Sequence, residues 1–191
     1  MANPLYDNLI GKHATNDACF LRQPGKPAVS FRQFSERTSQ VANLLLKHGL
    51  KPGDRVAVQA SKTIEMVILY GATIQAGGVF LSLNTDYKKD EISYFIKDAS
   101  PKIFVCDPQK RKELEQITGQ VGSQVLTLDK NGQGSLQSQA NILSKTFNTI
   151  DRRPDDLVAL LYTSGTTGRS KGAMLTPVSY THLTLPTTPY V

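Results

Sequence analysis

The strongest constraint on the fold is a regular alternation of strand-like and helix-like segments between residues 31 and 128. The stretch after Ser30 carries apolar residues at helical spacing and stops at Gly49, which predicts a helix over residues 31–48. The next segment, DRVAVQA, alternates apolar and polar residues, so it is predicted to be a strand. A strand that follows a helix in this way is the first unit of the pattern.

The same order of helix and strand recurs downstream. The predicted helices are KTIEMVILYGATIQA, KKDEISYFIKDAS and PQKRKELEQITG, and the strands that follow them are VFLSL, KIFVCD and QVLTL. Strands that alternate with crossover helices form a parallel sheet with helices on both faces. The sequence therefore predicts an α/β fold with a mainly parallel sheet flanked by helices.

Two further segments complete the predicted layout. Residues 129–156 are polar and rich in turn residues, so they are predicted to connect the layers. LVALLY, residues 157–162, is an unbroken run of apolar and aromatic residues, which is typical of a central strand buried on both faces. The segment that follows LVALLY therefore starts at the end of a sheet.

That segment, TSGTTGRSKG, has the composition of an anion-binding loop. Open α/β sheets bind ligands at the carboxyl ends of their strands. Gly165, Gly168 and Gly172 allow positive φ and let backbone N–H groups approach an anion, while hydroxyl and cationic side chains add donors and charge. The candidate phosphate-binding residues are Thr163, Ser164, Gly165, Thr166, Thr167, Gly168, Arg169 and Lys171.

Two other interpretations of this loop are weaker. A solvated β-turn would explain the Gly, Ser and Thr content, but not a cation-bearing loop directly after a buried strand. A Walker-type NTPase needs Ser or Thr after the lysine to hold magnesium, whereas Lys171 precedes Gly172. The sequence therefore favours a phosphate loop of another kind.

YTSGTTGRSKG resembles the signature loop of the adenylate-forming, or AMP-binding, superfamily, which includes acyl-CoA synthetases, luciferases and the adenylation domains of peptide synthetases. By that resemblance, residues Thr163 to Gly168 and Lys171 contact the β- and γ-phosphates of ATP while a carboxylate attacks the α-phosphorus. Expulsion of pyrophosphate builds negative charge on the leaving oxygens, which donors of this kind stabilise.

Upstream segments extend the resemblance over about residues 4–176, the N-terminal part of the large domain of these enzymes. LNTDY, PKIFVCDPQKR and LLYTSGTTGRSKGAMLT look most like the malonyl-CoA synthetases. The resemblance implies an acid:CoA ligase of fatty acid metabolism that activates a carboxylate, with malonate favoured, as an acyl-adenylate and transfers the acyl group to CoA. It also implies ATP, CoA and Mg²⁺, with the catalytic residues and most Mg²⁺ ligands expected downstream of this chain.

The resemblance makes residues 1–176 an incomplete N-terminal part of an adenylation domain. The last stretch, PVSYTHLTLPTTPYV, resembles a translated vector or adapter junction, so we expect residues 177–191 to be non-native. We also expect no turnover from the chain by itself. A standalone nucleotide-binding module and a non-catalytic interaction fragment are the alternatives.

Composition narrows the range of partners and locations. The formal net charge is +6, but basic and acidic residues are interleaved, which argues against a nucleic-acid-binding stripe and leaves small molecules as the expected partners. No apolar run reaches the roughly 18 residues of a membrane span, and the N-terminus lacks a leader pattern, so we predict a cytoplasmic protein. The oligomeric state stays open. Cys19 and Cys106 lack metal-ligand spacing, and Cys106 is expected to be a buried free thiol.

The remaining polar and aromatic candidates are given structural roles. The scattered His13, His48 and His182 are given surface or capping roles, and Asp155 and Asp156 a role in a turn or cap. Tyr87, Tyr94 and Phe95 are assigned to helix packing without a cofactor role.

Overall fold

The computed structural model describes residues 3–163 and 170–179. The helices are α1 (Pro4–Leu9), α2 (Phe31–Lys47), α3 (Ile64–Gln75), α4 (Lys89–Ala99), α5 (Arg111–Thr118) and α6 (Ser135–Ala140). The strands are β1 (Cys19–Leu21), β2 (Val29–Ser30), β3 (Arg55–Gln59), β4 (Val79–Ser82), β5 (Ile103–Cys106), β6 (Gln124–Thr127), β7 (Ala159–Thr163) and β8 (Lys171–Leu175). Short 3₁₀ turns occupy Gly11–His13, Pro108–Lys110 and Gly119–Val121.

Six strands form one sheet in the order β6-β5-β3-β4-β7-β8. The first five are parallel to one another, and β8 runs antiparallel to β7. Apolar residues of α2, α3 and α6 cover one face, and those of α4 and α5 cover the other. Strands β1 and β2 pair separately as an antiparallel ladder. The prediction of an α/β fold with a mainly parallel sheet flanked by helices is confirmed.

Local chemistry explains where the predicted helices begin. The Ser30 hydroxyl accepts a hydrogen bond from the Gln33 N–H (3.2 Å), and the Gln33 side chain accepts one from the Ser30 N–H (3.0 Å), which forms a capping box for α2. The Thr63 hydroxyl accepts from the Met66 N–H (3.3 Å) at the start of α3. The chain therefore turns from extended to helical at residues that supply the missing acceptors.

Alternation along the central strand builds two separate cores. Val56 and Val58 of β3 pack into the apolar cluster under α2 and α3, and Ala57 between them faces the cluster under α4 and α5. Because successive side chains of a strand point to opposite faces, one short strand joins both layers. This arrangement fixes the carboxyl edge of the sheet, where the candidate loop begins.

The segment predicted as a polar connection contains a helix. Within it, Leu136 and Ala140 of α6 are buried against the first core. The Ser135 N–H donates to the Thr127 hydroxyl (2.9 Å), and the Ser135 hydroxyl accepts from the Thr127 N–H (2.9 Å), so the helix start is tied to the end of β6. The sequence did not predict this helix, whose few apolar positions suffice to bury it.

The expectation that LVALLY is buried on both faces holds only for the first part of the strand. Ala159 is buried, whereas Leu161 is 41% exposed. Leu160 and Tyr162 point to the opposite side and pack at the margin of the cluster under α4. The strand has neighbours on both edges, as predicted, but its second half presents Leu161 to solvent in the described part of the chain.

Residues 177–179 form a helical turn after β8, in which the Ser179 N–H donates to the Thr176 hydroxyl (3.3 Å). The prediction that 177–191 are non-native stays a prediction, and residues 180–191 lie outside the described part. No helix among the described residues is long and apolar enough to cross a membrane.

Two glycines with positive φ allow a test of how closely Ile150 packs just before β4. Gly77 has φ +74°, and a Cβ there would lie 2.9 Å from Ile150 Cγ2, whereas Gly53 has φ +85° with open space around it. We expect Gly53→Ala to lower the free energy of unfolding by about 1–2 kcal/mol from backbone strain alone. Gly77→Ala is expected to cost roughly 1–3 kcal/mol more, because Ile150 must also move.

Urea unfolding followed by circular dichroism measures both variants. Equal losses for Gly53→Ala and Gly77→Ala would contradict the close packing of Ile150 against the start of β4.

Candidate functional site

Residues 164–170, here called the glycine-rich segment, connect two adjacent strands at the carboxyl edge of the sheet. Strand β7 ends at Thr163, and β8 begins at Lys171 and returns antiparallel to it. Because β7 is parallel to β4, its end lies at the edge where open α/β sheets bind ligands. The prediction that this segment leaves the end of a strand is confirmed. The other predicted phosphate-binding residues, Ser164, Gly165, Thr166, Thr167, Gly168 and Arg169, lie outside the described residues.

The two predicted site residues that the structure describes are cross-strand partners. Thr163 of β7 pairs with Lys171 of β8, so their side chains share one face at neighbouring positions. Both residues are exposed. Lys171 makes no ion pair within the described part of the chain, which leaves its ammonium group available to an anion. A hydroxyl donor and a cation thus stand together where the glycine-rich segment starts and ends.

Strand β8 was not predicted, and it changes the role of Gly172. The sequence suggests that this glycine allows positive φ, but it lies inside β8 and is not among the described glycines with positive φ. It lies beside the Tyr162 ring, and a Cβ at position 172 would make an ordinary van der Waals contact there, 3.4 Å from Tyr162 Cε1. The expectation of a φ-dependent role for Gly172 is therefore wrong.

Aromatic side chains of α4 support the hairpin formed by β7 and β8. The ring of Tyr162 packs on Phe95 with centroids 4.4 Å apart, and Phe95 also contacts Tyr87 (4.9 Å) and Tyr94 (5.5 Å). The helix-packing role predicted for these aromatic residues is confirmed. They hold the end of β7 against α4 on the side opposite Thr163 and Lys171.

The Tyr162 hydroxyl donates a hydrogen bond to the Asp98 carboxylate. Burial raises the pKa of Tyr162 above its ordinary value, and the hydrogen bond and negative charge of Asp98 raise it further. Both effects favour the neutral phenol, since a phenolate beside a carboxylate would be repelled. Tyr162 therefore remains a hydrogen-bond donor to Asp98 across the ordinary pH range.

A second contact of α4 involves the other end of the glycine-rich segment. The Tyr94 hydroxyl donates to the backbone carbonyl of Ser170 (3.1 Å), one residue before β8. The sequence pattern indicates only a packing role for Tyr94 and does not predict this contact. The available signal was the spacing of Tyr94 and Asp98, which lie one helical turn apart and so share a face of α4.

A polar crevice on the same edge of the sheet was also not predicted. It has a volume of about 210 Å³ and lies between the ends of β3 and β5, lined by Gln59, Ser61, Thr85, Asp107 and Lys110 among others. Gln59 is 1% exposed, and its amide nitrogen donates to the Asn84 carbonyl (2.9 Å). Its Oε1 has no hydrogen-bond partner among the described residues. The carboxyl edge thus carries a second polar feature beside the glycine-rich segment.

The cysteine, aspartate and histidine candidates lie in the core, in a turn or in packing contacts. Cys106 is a free, buried thiol, as predicted, and burial raises its pKa to about 12, so the thiol stays protonated near neutral pH. Asp156 accepts from the Arg153 N–H (2.7 Å) in a turn, which confirms the turn predicted for that position. His13 packs on Phe31 with centroids 4.8 Å apart, and His48 Nε2 lies 3.1 Å from the Gln139 side-chain oxygen. His182 lies outside the described residues.

No group of three or more His, Cys, Asp or Glu side chains in the described ranges could hold a metal ion. Thr163 and Lys171 offer a hydroxyl and an ammonium group, which fit phosphate oxygens rather than a cation.

Comparison with known proteins identifies the family. The sequence model of the family "AMP-binding enzyme" matches residues 11–187. The chain belongs to the AMP-binding enzyme family, which confirms the likeness to the adenylate-forming superfamily.

Solved structures and curated relatives agree with this assignment. ATP-bound MatB from Rhodopseudomonas palustris is 46% identical and superposes with a TM-score of 0.91 over 96% of this chain and 37% of its own. An ATP-bound chimera, RpMatB-BxBclM B3, is 46% identical with a TM-score of 0.90 and the same coverage. Tyrocidine synthase 2 from Brevibacillus parabrevis is 37% identical over 77% of this chain and 4% of its own length. The chain therefore spans well under half of each of these proteins.

Proposed function

We propose that this chain supplies the part of an AMP-forming acid:CoA ligase that holds the β- and γ-phosphates of ATP. The observation that carries the proposal is the cross-strand pair of Thr163 and Lys171 at the carboxyl edge of the sheet, at the two ends of the glycine-rich segment. Membership of the AMP-binding family and the 46% identity to ATP-bound MatB support ATP as the nucleotide.

The chemistry of adenylation explains why such a pair is useful. A substrate carboxylate attacks the α-phosphorus, the bond to the bridging oxygen breaks, and its electrons move onto the departing pyrophosphate. The ammonium group of Lys171 and the hydroxyl of Thr163 would lie beside that growing negative charge. Donors placed in advance stabilise it without reorganisation during the reaction. Mg²⁺ bound with ATP would neutralise part of the same charge.

We also propose which acid the ligase activates and which group accepts the acyl chain. The likeness of LNTDY, PKIFVCDPQKR and LLYTSGTTGRSKGAMLT to malonyl-CoA synthetases supports malonate as the carboxylate and CoA as the acyl acceptor. The partners are therefore small molecules, and a cytoplasmic location rests on the sequence alone.

The exposure of the site argues against turnover by this chain alone. Thr163 and Lys171 are both exposed, so phosphates bound there face water, which weakens each electrostatic contact. We expect the 191-residue chain to bind ATP without releasing pyrophosphate.

Removal of the cation tests the phosphate site. We expect Lys171→Ala to weaken binding of MgATP by about 10- to 150-fold, the range that corresponds to loss of one charge-assisted hydrogen bond. Lys171→Arg keeps the charge and should retain part of the affinity. Isothermal titration calorimetry on the 191-residue chain measures all three proteins.

Lys130→Ala is the matched control, because Lys130 is an exposed lysine in a turn well away from Lys171 in the sequence. It should bind MgATP as the unaltered chain does. Equal affinities for Lys171→Ala and Lys130→Ala would contradict a phosphate role for Lys171.

A chimera tests the ligase assignment and the acid. Residues 3–176 of this chain, which exclude the stretch expected to be non-native, would replace the corresponding part of R. palustris MatB. The 46% identity and the existence of another ATP-bound MatB chimera favour this replacement. We expect pyrophosphate release that depends on malonate and that falls strongly when Lys171→Ala is introduced.

Circular dichroism must first show that the chimera is folded. A folded chimera that binds ATP but releases no pyrophosphate with malonate, acetate or longer acids would contradict the proposed ligase function. Release with another acid and not with malonate would contradict only the malonate assignment.

A further inference from the structure

Helix α4 contacts the β7–β8 hairpin on both sides of the Thr163–Lys171 pair. At one end, Asp98 accepts the hydrogen bond of the Tyr162 hydroxyl, one residue before Thr163. At the other end, the Tyr94 hydroxyl donates to the Ser170 carbonyl (3.1 Å), one residue before Lys171. The two helical residues are one turn apart, and their partners flank the cross-strand pair Thr163 and Lys171.

We propose that Tyr94 is a positioning residue of the phosphate-binding site, which fixes the peptide between Ser170 and Lys171 through the Ser170 carbonyl. This inference rests on the proposed function, since it assumes that the hairpin binds the triphosphate of ATP. Tyr94 does not touch the phosphates. It acts through the backbone that carries Lys171.

Peptide geometry gives the mechanism of this effect. In a trans peptide the carbonyl of one residue and the N–H of the next point in opposite directions. The hydrogen bond from Tyr94 holds the Ser170 carbonyl toward α4, so the Lys171 N–H is turned away from that helix. The start of the Lys171 side chain is thereby fixed, and less conformational entropy is lost when the ammonium group binds an anion.

A role in positioning can be separated from a role in stability. The Tyr94 side chain is 37% exposed, and its ring contacts Phe95 and Tyr162 without help from the hydroxyl. Tyr94→Phe keeps those ring contacts and leaves the Ser170 carbonyl free to bond water. The substitution should therefore change the melting temperature little and the binding of triphosphate considerably.

Tyr87→Phe is the matched control. Tyr87 packs on the same Phe95 ring (4.9 Å), and its hydroxyl makes no hydrogen bond to the described residues. Both substitutions delete one hydroxyl from the same aromatic cluster. Only Tyr94→Phe deletes a contact with the strand end that carries Lys171.

The experiment measures the binding of MgATP, AMP and inorganic tripolyphosphate to the 191-residue chain by calorimetry, with thermal unfolding of each variant. For Tyr94→Phe we expect MgATP and tripolyphosphate to bind about 5- to 10-fold more weakly, the factor that corresponds to one hydrogen bond. Binding of AMP, which lacks the β- and γ-phosphates, should not change. Tyr87→Phe should behave as the unaltered chain with every ligand.

Two results would overturn the role of Tyr94 while leaving the proposed function intact. One is unchanged binding of MgATP by Tyr94→Phe. The other is an equal loss for MgATP and AMP, or for the two Tyr variants, which would indicate a general change in packing.

An unaltered chain that binds neither MgATP nor tripolyphosphate would refute the proposed function and, with it, the phosphate role of Tyr94. Amide exchange of Ser170 and Lys171, followed by NMR without ligand, then decides whether the hydroxyl holds this strand end. We expect exchange roughly 5-fold faster in Tyr94→Phe, and unchanged exchange would refute the positioning itself.

Discussion

The antiparallel pairing of β8 with β7 is the interaction on which the candidate site depends. It brings Thr163 and Lys171 together although seven residues separate them in the sequence. Because β7 is parallel to β4, and β4 to β3, the same pairing places both residues at the carboxyl edge of the sheet. Without β8, the lysine would have no defined position relative to the end of β7.

Helix α4 links this hairpin to the rest of the fold. Its apolar face packs in the core with Ala57 and Leu81, and the polar edge of the same helix carries Tyr94 and Asp98. Since the helix is fixed by burial, its hydrogen bonds can define where the glycine-rich segment begins and ends. The position of the site is thus a consequence of core packing as much as of the segment's own sequence.

Most of the fold could be predicted from the sequence because its signals are local. The spacing of apolar residues after Ser30 and the alternation in DRVAVQA report helix and strand directly, and the structure places α2 and β3 there. Helix α6 escaped prediction because its burial depends on contacts with distant residues, for which the short segment SLQSQA gives little local signal.

Part of the site could also be predicted, because its composition is a local signal in the sequence. The composition of TSGTTGRSKG indicates a phosphate loop, and its resemblance to a known family signature predicts that Lys171 contacts the phosphates. The pairing of Lys171 with Thr163, the ring of Tyr162 over Gly172 and the bond from Tyr94 to Ser170 depend on the return of β8 along β7. The first two contacts depend on a hairpin that the composition of the segment does not indicate, and the bond from Tyr94 joins residues 76 positions apart in the sequence.

The most direct measurement is a crystal structure of this chain with MgATP or a non-hydrolysable analogue. We expect an oxygen of the β- or γ-phosphate within about 3 Å of Lys171 Nζ, with the triphosphate on the face of the hairpin that carries Thr163. A triphosphate bound elsewhere, for example in the crevice beside Gln59, with Lys171 facing solvent, would contradict it.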